Sequence, residues 1–154
     1  MNVEYINPFI AASTHIITET TGLTPTLGQV FIKNTPYKGG NVLVLIGLTG
    51  EIYGSVVITF SEKMANRIAS TMMGSPVTEL TEISKSAVGE LCNMILGNAA
   101  TLFSQKKKNI DITPPTILTG DNIKISPHKN IIVCIPLKFE GGEVIEIDIS
   151  YIER

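Results

Sequence analysis

The sequence predicts an α+β domain: an antiparallel sheet packed by two long helices and one shorter helix. Three observations carry this. Apolar residues recur at helical spacing in three segments, β-branched residues alternate in several others, and Gly or Pro punctuates the junctions between them. The resulting order is α-βββ-α-α-βββ, so a pseudo-duplicated α-βββ plan with a short helix between the halves is expected. Residues 1–154 are read as one domain, long enough to bury a substantial core.

Asn7-Pro8 followed by FIAASTHIITETTG predicts the first helix, with Phe9, Ala12 and Ile16 buried and Gly22 placed to end it. GQVFIKNT, a turn over Pro36-Tyr37-Lys38-Gly39-Gly40, NVLVLIGLTG, a turn at Thr49-Gly50 and EIYGSVVITF then predict three strands in an antiparallel meander. Ser61 is an N-cap, and Met64, Ile68 and Met72 give helical spacing up to Gly74. After Ser75-Pro76 the segment TELTEISKSAVGELCNMILGNAATLFSQKKKN predicts the long helix, acidic near its start and basic at its end. Thr113-Pro114-Pro115 breaks the pattern. PTILTG, KNIIVCIPLKFE and EVIEIDISYI complete the strands, the last two as a hairpin around Gly141-Gly142.

Composition narrows the function classes. The chain is 44% hydrophobic and 17% charged, as a compact globule requires, and its formal net charge of −2 gives no electrostatic case for nucleic acid. The basic run Lys106-Lys107-Lys108 falls at the predicted end of the long helix, where cations complement the dipole. No apolar run approaches the roughly 20 residues that span a bilayer, and no signal peptide is recognisable, so no membrane role and a cytoplasmic location are expected. Cys92 and Cys134 are far apart and lack metal-ligand neighbours; each reads as a small buried hydrophobe. His15, within the first helix, and His128, in a Pro-flanked loop, show no ligand spacing, and no Ser-His-Asp set or phosphate loop is present.

Within the long helix, SAVGELCNMILGN places Ser86, Glu90, Asn93 and Gly97 along one side. At about 100° per residue, Glu90 and Asn93 are about 60° apart and Ser86 is about 40° to the other side of Glu90. Gly89 falls beside them, while Leu91, Cys92, Ile95, Leu96, Ala99, Leu102 and Phe103 cover the remaining sides and are expected to be buried. Interior glycines cost a helix roughly 1 kcal/mol each relative to Ala, so the two here call for a reason. Spacing alone leaves two open: a packing seam for a neighbouring helix, or a shallow strip that another backbone approaches.

The set Ser86, Glu90-Leu-Cys-Asn93 matches the Asp/Ser-x-x-x-Glu-x-x-Asn signature of the CheC/CheX/FliY phosphatases. The chain resembles the CheX branch of that family nearly throughout. NPFI, TGLTP, GEIYGSVVITFSEKMANRIASTMMG and ELCNMILGNA occur in the same order. The resemblance implies a phosphatase that removes the aspartyl phosphate of a CheY-type receiver domain and so terminates the chemotaxis signal. In that reading Asn93 orients the attacking water, and Glu90 engages the receiver at the lysine beside its phosphorylation site. Ser86, Gly89 and Gly97 lie against the partner. It also implies no metal or cofactor of the chain's own, Mg²⁺ in the receiver, and a homodimer formed through the sheets. CheC-like members carry a Glu-x-x-Asn set on each of two symmetry-related helices. FIAASTHIITETTG has none, so one site per chain is expected.

Two readings compete with this one. A non-catalytic module could dock a receiver or a flagellar-switch partner through the same helix, although docking has no need of the amide. A plain α+β scaffold would instead bury Glu90 and Asn93 against its own sheet.

Overall fold

The computed structural model describes residues 2–35, 37–127 and 131–153; Pro36 of the expected turn and His128 lie outside them. Helix α1 (Val3–Thr21) is capped by Asn2, whose side chain accepts the Glu4 N–H at 3.0 Å, and is closed by Gly22 at φ 74°. It therefore starts before the Asn7-Pro8 boundary read from the sequence. Pro8 sits inside it, forgoing one backbone hydrogen bond, while the buried Tyr5, Ile6 and Phe9 hold that turn against the core.

Five strands follow: β1 (Thr26–Leu27), β2 (Phe31–Lys33), β3 (Tyr37–Lys38), β4 (Val42–Gly50) and β5 (Ile52–Phe60). Helix α2 (Glu62–Met73), capped by Ser61, leads to α3 (Glu82–Gln105), and then come β6 (Ile110–Ile112), β7 (Thr116–Thr119), β8 (Lys124–Ile125), β9 (Ile132–Lys138) and β10 (Val144–Glu153). The main sheet runs β1-β9-β10-β5-β4-β6, with β2 also on β9 and β7 also on β4; β3 and β8 pair separately.

The expected meander of the first half is thus corrected. The β4–β5 and β9–β10 hairpins form as read, but β2 crosses to the other half and pairs with β9, Phe31 opposite Cys134. In that register Lys33 Nζ reaches Glu146 at 2.9 Å and Asp148 at 3.1 Å, a long-range ion pair that local turn chemistry cannot reveal. Likewise Tyr37-Lys38, expected within a turn, pairs with Lys124-Ile125. The exchange is reciprocal: β1 and β2 join the second half's hairpin, β6 and β7 join the first half's, and β5–β10 is the seam. The pseudo-duplication is a pseudo-two-fold with swapped strands.

All three helices cover one face of the sheet. Val44, Ile46, Val56, Ile58, Ile135 and Ile147 form the sheet's side of the core. Along the helix seam the Phe9 and Phe103 rings meet edge-on at 5.4 Å between centroids. The lysine run differs from expectation: α3 ends at Gln105, so the lysines stand just past the last turn. Lys108 Nζ lies 4.9 Å from the centre of the Tyr5 ring and 4.0 Å from Glu4.

Candidate functional site on helix α3

Thr81 opens α3 through a capping box: its side chain accepts the Ser84 N–H at 3.2 Å, and Ser84 Oγ accepts the Thr81 N–H at 2.7 Å. Threonine and serine at this spacing fix the helix start, and with it the direction in which every later residue points. Val88, Leu91, Cys92, Ile95, Leu96, Ala99 and Phe103 are buried as expected, while Leu102 is only half-buried. Burial of the Cys92 thiol pushes its pKa up, which leaves it a protonated core group.

The opposite side of α3 carries the predicted stripe. Ser86 and Glu90 are exposed, and Asn93 and Gly97 are half-buried. None faces the sheet, so the scaffold reading, which needed Glu90 and Asn93 packed inward, fails. A Cβ built on Gly97 meets no atom within 4 Å, so packing within this chain does not require glycine there. Gly89 is a correction. It is buried, and a Cβ on it would come within 2.7 Å of Ile117 Cδ1, so its small size admits β7 and no outside partner. The four that share the outer face are Ser86, Glu90, Asn93 and Gly97.

Sequence reading missed two features of this layer. Because α1 begins at Val3, it contains Glu4 and Asn7, a Glu-x-x-Asn pair hidden by placing the helix start after Pro8. Setting Glu4 against Glu90 aligns the two helices in burial. Tyr5, Phe9 and Ile17 are buried where Leu91, Ile95 and Phe103 are, and Glu4 and Asn7 face outward. The statement that the first helix lacks the pair is therefore overturned. The two surroundings differ: Ala11 stands where α3 has Gly97, and Lys108 lies 4.0 Å from Glu4.

The second missed feature adjoins Glu90. Ile83, Met72, Met73, Ser86, Ala87 and the Lys85-paired carboxylate of Glu82 border an open depression with it, and Ile83 and Met73 are exposed. Among the described residues no three His, Cys, Asp or Glu side chains come together to hold a metal ion. Among them, too, no helix is long and apolar enough to cross a membrane. What the stripe offers chemically is one carboxylate and one neutral amide, side by side and open to an approaching surface.

Comparison with known proteins gives this arrangement its context. The model of the family "Chemotaxis phosphatase CheX" matches residues 42–138. The CheY-P phosphatase CheX of Thermotoga maritima is 30% identical over 151 residues, 97% of each chain. The crystal structure of the chemotaxis protein CheX from Vibrio vulnificus superposes with a TM-score of 0.87 at 28% identity, covering 97% of this chain and 99% of that one. The CheX of the CheX–CheY–BeF3–Mg²⁺ complex from Borrelia burgdorferi has a TM-score of 0.83 at 28% identity, covering 99% of this chain and 100% of that one. With its family model spanning the α3 stripe and its relatives matching from end to end, the chain belongs to the CheX family of chemotaxis phosphatases.

Proposed function

We propose that this chain hydrolyses the aspartyl phosphate of a CheY-type receiver domain, with Asn93 positioning the water and Glu90 docking the receiver. The observation that carries the reading is the outward carboxylate–amide pair on α3. An acyl phosphate is already activated. Its transfer passes through a loose transition state in which positioning and charge stabilisation do most of the work. The receiver supplies the electrophile, its own lysine and Mg²⁺, the ion that accompanies CheY in the Borrelia burgdorferi complex.

The Asn93 amide has an acceptor oxygen for a water proton and donor hydrogens for a phosphoryl oxygen, so it can hold a water in line with the P–O bond that breaks. The water oxygen bonds to phosphorus, the P–O bond to the aspartyl oxygen breaks, and the aspartate regains its carboxylate. Inorganic phosphate leaves, carrying or releasing the water's proton. Glu90, one turn before Asn93, pairs with a receiver ammonium and fixes the register of the two proteins. Ser86 and Gly97 leave room for the receiver's loops on either side.

A cytoplasmic setting belongs to this reading, as does pairing of two copies through the sheets. The latter is supported by apolar side chains exposed on the face away from the helices: Phe31 (43%), Leu118 (45%) and Ile152 (41%). The test of function is the decay of a phosphorylated CheY-type receiver with and without this chain. Accelerated phosphate loss is expected, with Glu90→Ala raising KM about tenfold. Tight binding of the receiver with no acceleration would establish a docking module instead.

A further inference from the structure

Ile83 lies on the same side of α3 as Glu90, two turns earlier and roughly 10 Å along the axis. The residue is 65% exposed, the largest value among the exposed large apolar residues described. Met73, at the end of α2, is 42% exposed, and with half-buried Met72 it extends the apolar surface across the α2–α3 corner. These side chains border an open depression of about 530 Å³ that runs without a break into Ser86, Ala87 and Glu90. A β-branched residue on an exposed helix face gains nothing in helix propensity and covers no core, so folding does not explain Ile83. Methionines beside it supply a soft surface able to conform to a partner.

The chain contains its own comparison. Two Glu-x-x-Asn pairs face outward from symmetry-related helices, one on α1 and one on α3. Helix α1 begins at Val3, one residue before Glu4, whereas α3 begins at Glu82 and has run two turns when it reaches Glu90. Helix α2 packs against both helices, more extensively against α3, and brings Met72 and Met73 beside Glu90. The pairs are alike in their polar groups and differ in their surroundings: Glu90 adjoins the depression lined by Ile83, Met72 and Met73, whereas Glu4 has the exposed Val3 before it and Lys108 4.0 Å away.

We propose that the Ile83–Met72–Met73 shelf is the docking determinant of this phosphatase. It seats an apolar patch beside the receiver's phosphorylation site, and so directs the phosphoryl group to Asn93 and not to Asn7. The inference rests on the function proposed above and adds the element of recognition to it. A carboxylate alone makes a weak, salt-screened contact at a rim, whereas an exposed isoleucine beside it gives the interface a desolvated centre. Continuity with Glu90 identifies the occupant as the receiver domain itself.

The test uses the full chain with a CheY-type receiver, phosphorylated for turnover and loaded with BeF3 and Mg²⁺ for binding. Ile83→Ser is expected to raise KM and Kd about tenfold with kcat within about twofold, while Ile83→Met stays close to wild type. Asn7→Ala is expected to leave turnover unchanged. Thermal melts control for folding, and the exposure of Ile83 predicts no loss there. Unchanged KM and Kd in Ile83→Ser would overturn the inference, as would a fall in kcat at constant KM, or a loss of turnover in Asn7→Ala. Failure of the underlying function reads differently: wild type would not accelerate decay, or Asn93→Ala would be as fast as wild type.

Discussion

A Cβ on Gly97 would meet nothing within 4 Å, yet glycine in a helix interior costs about 1 kcal/mol relative to Ala. The proposed function gives that cost a reason: a receiver loop can approach the helix backbone one turn beyond Asn93. Gly97→Ala should therefore stabilise the free chain by about 1 kcal/mol in urea denaturation while lowering phosphatase activity. An equally active and more stable variant would remove Gly97 from the docking surface. Gly89 shows how far a single residue can mislead. Its helical position looks partner-facing by spacing, but Ile117 of β7 fills the space beside it, and no sequence period reports a contact between elements so far apart in the chain. Glu4 and Asn7 are legible as letters, but Pro8 resembles a helix start and hides that both lie within α1.

At the level of elements, α3 is legible in the sequence because its apolar period is long and its outer face is chemically distinct. The acidic segment from Thr78 has a helical pattern, but the capping box of Thr81 and Ser84 sets the first turn later, at Glu82. Removing that cap by Thr81→Ala should cost about 1 kcal/mol, measured as a shift in the urea midpoint. The loss should reach the site, since Ser86, Ile83 and Glu90 all depend on the N-terminal turns of α3. The β4–β5 and β9–β10 hairpins were legible from alternation and turn glycines. The partners of β2 and β7 were not. Short strands carry too few residues to specify a register, and long-range side-chain pairing decides it.

Across the whole molecule, the swapped strands bind the two halves into one sheet, and the Lys33 cluster fastens one of the crossings. Burial works to lower the Lys33 pKa, but Asp148 foremost and then Glu146 outweigh it, so it lies above the ordinary value of 10.5. A cation favoured by folding contributes stability that is complete below the unfolded pKa and is lost as pH rises through the folded one. Wild type should therefore lose stability above the ordinary lysine range more steeply than Lys33→Met. That variant should already be weaker by about 3 kcal/mol at pH 7, because it leaves the almost fully buried Asp148 without its ion-pair partner. Urea midpoints across the alkaline range check both statements.

The swap also places α1 and α3 side by side with alike polar pairs, and it leaves α2 to distinguish them. How the molecule acts then turns on a single amide, and one measurement tests it most directly. At saturating chain, the first-order loss of phosphate from a phosphorylated CheY-type receiver is compared for wild type and Asn93→Ala, with Kd for the BeF3-loaded receiver taken alongside. Water positioning by the amide predicts a fall in rate on the order of 10²-fold with Kd within about twofold. An Asn93→Ala variant that binds and turns over as wild type does would contradict it.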